Sequence, residues 1–295
     1  MYIYLSAIYQ GMLWGIMGIG LYISFRILNY TDLTSEASFT IGAASVAVMI
    51  HSGVHPVLAT FLSIIFGMLA GLVTGILTTY FEIPSLLASI ITLTAMYSIN
   101  LRIMGTPNLS FRGTETIFNY ISQWIDDSFQ VGVLIGLFFI TICVLFLSYL
   151  FRTDFGQSMI ATGDNSTMAE SIGINTPAMI RFALMLANGI IALSGALVAQ
   201  DNSFSDVQMG AGTVVSALAS IVIGEIIIRK AIPVIGRLLT VVMGAIIYRI
   251  ILVFALQLGF NSQDFKLVSA MILAIFLAFP AIKKKLQKRS AKEAV

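Results

Sequence analysis

Residues 131–150 read VGVLIGLFFITICVLFLSYL, twenty positions without a charge, and residues 151–174 continue as FRTDFGQSMIATGDNSTMAESIGI. A spanning helix needs about 20 apolar residues to cross a hydrocarbon core of about 30 Å. The first stretch meets that requirement, and the polar segment behind it marks a re-entry into water. Working outward, comparable runs occupy 4–28, 56–80, 85–104, 179–200, 232–256 and 267–282. The composition agrees. The 295-residue chain is 58% hydrophobic and 10% charged, against about 25% charged in soluble domains. So few charges cannot cover a globular surface, and lipid must be most of the solvent. Two further stretches are less clean. Residues 38–50 are short and rich in Ala, Ser and Gly, and 210–228 is interrupted by Gly224 and Glu225. Both are expected as broken or re-entrant segments, tolerated where protein covers the open backbone. The reading is an all-α polytopic integral membrane protein of about nine transmembrane helices (eight to ten). It forms one transmembrane domain, 1–295, with halves 1–151 and 178–295 joined by the segment 152–177.

Lys and Arg placement sets orientation. The tail carries Lys283, Lys284, Lys285, Lys288, Arg289 and Lys292 and is expected in the cytoplasm. Counting back through nine spans puts 152–177 on that side with Arg26, Arg152, Arg181, Arg229, Lys230 and Arg237, and Met1 outside. Residues 1–10 lack a basic n-region and a cleavage site, so the first apolar run is expected to remain as a span. The net charge of +2 argues against a nucleic-acid partner. The single cysteine, Cys143, excludes an internal disulfide and a multi-cysteine metal cluster. No Gly-rich loop ends in Gly-Lys-Ser/Thr, so ATP hydrolysis by that route is not expected here. His51 and His55 flank a turn with no third ligand nearby and read as solvated. No cluster of catalytic residues converges at one interface.

An internal echo follows. Tyr30-Thr31-Asp32-Leu33-Thr34-Ser35-Glu36 leads into Gly42, Ala43, Ala44 and Ser45, and Phe204-Ser205-Asp206 leads through Gly210 and Gly212 into Thr213, Ser216, Ala217 and Ser220. With Asp32 inside and Asp206 outside, the units are inverted, as in transporter repeats. The alternative is that small residues simply let helices approach in lipid.

In the segment 152–177, Thr167 and Glu170 have capping-box spacing and Gly173 suits a left-handed cap. A short helix over 167–172 is expected, exposing Met168 and Ile172 to a partner or to the bilayer surface.

Ionisable groups at membrane depth are costly and mark functional candidates. Asp32, Glu36, Asp206 and Glu225 qualify. Asp32 and Glu36 lie four apart and share a face if that stretch is helical; Asp32 alternatively caps a helix. Glu225 is spaced to pair with Arg229. Asn100 with Arg102 is placed to meet a substrate carboxylate or to snorkel to the interface. The candidate path is Asp32, Thr34, Glu36, Asn100, Asp206 and Ser216.

Phe151-Arg152-Thr153-x-Phe155-Gly156, then Ala161-x-Gly163-x-Asn165, then Met168-Ala169-x-x-x-Gly173-Ile174 resembles the cytoplasmic coupling segment of the branched-chain amino-acid permease family of ABC importers. Gly11-Met12-Leu13-Trp14-Gly15 with Phe25-Arg26-Ile27-Leu28-Asn29 is similar to that family's first helix, and ALASIVIG at 217–224 with Gly244-Ala245-Ile246 to its second half. Residues 91–105 with Asn108 resemble the branch grouped with uptake of tryptophan or other amino acids. One departure bears on substrate: Thr31-Asp32-Leu33-Thr34-Ser35-Glu36 stands where the branched-chain permeases carry an Asn-x-Ala-x-Gly type sequence. The resemblance implies a permease subunit passing a small solute, an amino acid and an aromatic one among the candidates, by alternating access. It implies docking of an ATPase by Gly156, Ala161, Gly163, Asn165, Met168, Ala169, Ile172 and Gly173, with the glycines allowing tight turns. It further implies no cofactor on this chain, ATP and Mg on two copies of the ATPase subunit, and an extracytoplasmic substrate-binding protein. A second permease copy, as a homodimer or with a sister chain, and a prokaryotic plasma membrane complete the expectation. The rival from the residues alone is an ion-coupled secondary transporter using Asp32, Glu36 or Glu225.

Overall fold

The structure is a computed structural model and describes residues 2–125, 127–227, 233–258, 264 and 266–278. The basic tail from Lys283 onward, and Arg229 and Lys230, lie outside the described residues. Helix α1 (Tyr2–Tyr22) runs into a π-helical turn (Ile23–Ile27). There follow α2 (Thr34–His51), α3 (Pro56–Thr79), α4 (Ser85–Met104), β1 (Asn108–Ser110), α5 (Ile117–Ser122) and α6 (Ser128–Leu150). The second half holds α7 (Asp154–Asp164), α8 (Ser166–Ser171), α9 (Thr176–Asn202), β2 (Phe204–Asp206), α10 (Thr213–Ile227), α11 (Val234–Gln257) and a shorter apolar helix α12 (Lys266–Ala278).

Among the described residues six helices are long and apolar enough to cross a membrane: α1 with its π turn, α3, α4, α6, α9 and α11. The chain is a multi-pass helical membrane protein. Helix α2 has 18 residues but opens on Thr34, Ser35 and Glu36, and α10 has 15; neither joins that set. Their polarity does not break them. Both are continuous, α10 passing straight through Gly224 and Glu225, so the expected interruption is absent. The reason is shielding. Nearly all of α2 is buried against α3, α4 and α9, so its small polar side chains face protein instead of lipid.

Helix α9 is the centre of the bundle, 83% of its span being buried, whereas α4 is peripheral with 28% buried. The packing has an exchange pattern. Helix α3 packs on α9 as α11 packs on α1, α2 on α9 as α10 on α1, and α2 on α3 as α10 on α11. Close approach at the α2–α9 seam depends on two glycines. A Cβ at Gly42 would stand 2.0 Å from the carbonyl oxygen of Ala192, and one at Gly195 the same 2.0 Å from that of Phe39.

The all-α expectation needs one correction. Strands β1 and β2 pair antiparallel, Asn108 opposite Asp206 and Ser110 opposite Phe204. Two loops meet at one end of the bundle, and pairing satisfies backbone groups that the protein would otherwise bury. Helix α5 closes over the same end, where the Ile117 N–H donates to Gln200 Oε1 at 3.0 Å. The opposite end carries α7 and α8. There Arg26, on the π turn, is ion-paired with Glu225 at the end of α10. The sequence spacing points Glu225 at Arg229, which lies outside the described residues; the tertiary fold brings it a cation from 199 residues away.

Candidate functional site

The segment after α6 forms a hairpin of two helices, where one was expected. Thr153 caps α7, its Oγ1 accepting from the Gly156 N–H at 3.2 Å. Asn165, not Thr167, caps α8, accepting from the Met168 N–H at 3.0 Å. Glu170 does not reach back to close a capping box but accepts from Thr176 Oγ1 at 2.5 Å, tying α8 to α9. The far end matches expectation: Gly173 has φ +88, and the Gly173 and Ile174 N–H groups donate to Glu170 and Ala169 carbonyls at 2.9 and 3.0 Å. These paired bonds are a Schellman cap.

The other two glycines do not make turns. Both sit inside α7 and let it lie against the bundle. A Cβ on Gly156 would meet the Leu150 carbonyl oxygen at 2.1 Å, and one on Gly163 the Ile27 carbonyl oxygen at 1.9 Å. Asn29 Nδ2 also donates to the Gly163 carbonyl at 3.3 Å. The hairpin is therefore seated on the π turn of α1. Ala169 is 1% exposed and belongs to the packing, while Met168 and Ile172 stand out at 62% and 64%. Beside them lies a groove of about 180 Å³ lined by Ala161, Asp164, Asn165, Met168, Ala169 and Ile172. Two large apolar side chains thus stand exposed on a helix capped at both ends and anchored to the bundle.

At membrane depth the acids divide into two kinds. Asp32 precedes α2 and shares no helical face with Glu36. It is fully buried, Oδ1 accepting from the Thr34 N–H at 2.9 Å and Oδ2 from Asn188 Nδ2 at 2.7 Å. Ser38 Oγ donates in turn to Asn188 Oδ1 at 2.6 Å. Thr34 continues the scaffold through a hydroxyl contact of 2.7 Å with Thr74, which donates to Thr92 at 2.9 Å. This network stitches α2 to α3, α4 and α9. Asp32→Ala removes the acceptor for two buried donors, at about 1–3 kcal/mol for each donor left unsatisfied. A lowered thermal midpoint in detergent is the expected result, with Asp32→Asn, which keeps an acceptor oxygen, losing less.

Glu36 is of the second kind. Its Oε1 accepts from the Gly212 N–H at 2.9 Å, and Thr40 Oγ1 accepts from the Gly210 N–H at 3.1 Å. The 207–212 loop, with φ +85 at Gly212, is thereby latched onto the first turns of α2. A cavity lies on either side of it. The first, about 330 Å³, is walled by Glu36, Thr40, Leu93, Tyr97, Asn100 and Val207. The second, about 280 Å³, is walled by Trp14, Thr213, Ser216, Lys266 and Ser269, and the two share Gln208 and Ala211. Tyr248 bridges Ser216 at 3.1 Å and Ser269 at 2.8 Å. Asp206 sits in β2, within 3.4 Å of Asn108 Nδ2, and caps the Gln208 N–H at 2.7 Å.

Of the six path candidates, Glu36, Asn100 and Ser216 thus line cavities, whereas Asp32, Thr34 and Asp206 lie in the scaffold around them. The path candidates read from the sequence do not include Asn188, Trp14, Tyr248 or Lys266. Asn188 carried a usable signal, a lone amide inside an apolar span. Also missed was Arg249, whose Nε and Nη2 donate to Gln10 Oε1 at 3.1 and 2.8 Å, with its guanidinium 5.6 Å from the Trp14 ring centre.

The sequence profile described as the branched-chain amino acid transport system permease component matches residues 3–279. The chain belongs to that family. It is a permease subunit of an ABC importer. Among similar members, a tyrosine transport system permease protein of Clostridioides difficile is 39% identical over 98% of this chain and 95% of its own length. An uncharacterized protein of Rickettsia prowazekii is 30% identical over 94% of this chain and 98% of its own. An autoinducer 2 import permease of Salmonella typhimurium is 28% identical, covering 66% of this chain and 55% of the relative. Two solved structures share the fold. PsaBC from Streptococcus pneumoniae, in complex with Fab, aligns over 93% of this chain and 89% of its own at a TM-score of 0.50 and 15% identity. An inward-facing transporter described as metal-chelate type ABC aligns over 95% and 85% at 0.51 and 16%. The family description, a permease component, makes the chain one part of a larger transport system.

Proposed function

We propose that this permease conducts an amino acid, an aromatic one foremost, across the cell membrane of a prokaryote. The observation that carries the reading is the anchored hairpin: an ATPase held by Met168 and Ile172 would pull on Gly163 and so on the π turn of α1, whose helix walls the cavity at Trp14. The substrate class rests on the 39% identity to a permease described as a tyrosine transporter.

In this reading α2, α10 and α12 join the six apolar helices as spans, giving nine, with Met1 outside and the C-terminus in the cytoplasm. The exchanged packing of α1, α2 and α3 for α9, α10 and α11 supports an inverted repeat, with halves 1–151 and 178–295 linked by the cytoplasmic hairpin. Two ATPase copies supply ATP and Mg, a second copy of this chain completes the pathway, and an extracytoplasmic binding protein delivers solute. The chain itself catalyses no bond chemistry. Gly156, Ala161, Gly163, Asn165, Met168, Ala169, Ile172 and Gly173 form the dock: Met168 and Ile172 by contact, the glycines, Asn165 and Ala169 by shaping it. Glu36, Asn100 and Ser216 border the path.

Proteoliposomes holding the permease with its ATPase test this directly. Uptake of labelled L-tyrosine or L-tryptophan is expected only with ATP inside the cytoplasmic compartment and the binding protein outside. Uptake by the permease alone, driven by a sodium or proton gradient, would overturn it in favour of a secondary transporter.

A further inference from the structure

The first cavity contains an anomaly of hydrogen bonding. Asn100 is 1% exposed, and its Oδ1 accepts no hydrogen bond from any described residue. Buried amide oxygens are nearly always paired, and an exception asks for a donor that is not among the described residues. Asn100 lines the same cavity as Glu36, whose carboxylate takes bonds from the backbone N–H groups of Gly212, at 2.9 Å, and Val214. A carboxylate has room for about four donors. The two threonine hydroxyls there are already used: Thr40 Oγ1 donates to the Glu36 carbonyl at 3.0 Å and Thr94 Oγ1 to the Ile90 carbonyl at 2.8 Å. Among the described residues no Lys or Arg lines this cavity; Lys266 lines the second one, across the loop, and its charge reaches Glu36 from there. The cavity thus holds a carboxylate and an amide oxygen with acceptor capacity to spare, one negative charge, the Gln208 side chain and the aromatic ring of Tyr97.

We infer that the Glu36–Asn100 cavity is a binding site for a primary ammonium group of the transported solute. An –NH₃⁺ presents three donors and no acceptor, enough to give Asn100 Oδ1 its missing partner and Glu36 Oε2 a charge-assisted one. Tyr97 adds a ring face of the kind that attracts cations. The inference deepens the amino-acid reading and rests on it. It assigns the amine end of the solute to the cavity between α2 and α4, and makes the latch residue of the 207–212 loop also the residue that senses solute.

The full-length permease in phosphatidylcholine nanodiscs is tested by equilibrium dialysis against two probes, tyramine and 3-(4-hydroxyphenyl)propionate, the amine-only and acid-only counterparts of tyrosine. Tyramine is expected to be retained and the acid not. Glu36→Gln keeps an oxygen for the Gly212 N–H and removes only the charge, so it should weaken tyramine retention by about 10- to 100-fold. Asn100→Asp in that background returns one negative charge to the cavity and should restore much of it, which also shows that Glu36→Gln folds. Equal retention of the two probes, retention of neither, or Glu36→Gln binding tyramine as the parent does would overturn the assignment. Repeating the measurement in phosphatidylethanolamine discs should leave tyramine retention unchanged; loss there would assign the ammonium to a lipid headgroup and overturn the solute as its source. ATP-driven uptake by the unsubstituted permease is measured in parallel. Probe discrimination without such uptake rejects the importer reading and keeps the site, and uptake without discrimination rejects the site alone.

Discussion

Met168→Glu combined with Ile172→Glu is expected to give a folded permease that no longer elutes with its ATPase subunit. Both side chains are more than half exposed at the end of the bundle, on a helix whose termini are closed by Asn165 and Gly173. Neither supports the fold, so the chain should keep its thermal midpoint. Each would remove about 1.5–3 kcal/mol of apolar burial in a complex and place a carboxylate in a desolvated contact. The combined loss is about 100-fold or more in affinity, read by co-elution and by ATPase activity of the complex. Ala169→Arg is a poorer probe, because Ala169 is buried inside the hairpin and its replacement would disturb the fold before it disturbed the partner. Retained co-elution of the double variant would remove the hairpin as the dock.

Gly42→Ala with Gly195→Ala should instead unfold the protein more readily. Each new Cβ falls on a backbone carbonyl oxygen, which cannot rotate aside, so α2 and α9 must separate. Overpacking in a close-packed interior costs about 1–3 kcal/mol per site, and these two sites face each other's helix across one seam. A large drop in thermal midpoint in detergent, with loss of expression at 37 °C, is the expected result. Gly18→Ala is the control: its Cβ would meet only the Val241 Cγ1 methyl at 2.8 Å, which a rotamer change can relieve. Equal losses at the two kinds of site would show that helix propensity, not the α2–α9 seam, governs these positions.

The two variants also separate what was legible in the chain from what was not. The docking segment could be read because its signals are local. Met168, Asn165 and Gly173 lie within nine positions of one another, and caps act over three or four residues. Even there Thr167 was preferred to Asn165 as the cap, and α7 was missed altogether, since Asp154–Asp164 holds a glycine at each end that weakens any helical pattern. The glycines of α7 were read as turn makers because a sequence shows that a side chain is missing but not what fills its place.

Six long apolar spans and the family followed from the sequence by itself, because twenty apolar residues in a row have one low-energy environment and every backbone group within them must bond inside the segment. Which acids are scaffold and which face a cavity was decided only by the tertiary structure. Asp32 and Glu36 are four positions apart and chemically alike, yet Asn188, 156 residues on, encloses the first, while the Gly212 loop, 176 residues on, borders a cavity with the second. The same holds for Glu225 and Arg26, and for the orphaned oxygen of Asn100. A carboxylate or amide in lipid must find a partner, but the chain can supply it from any distance, and only packing selects which.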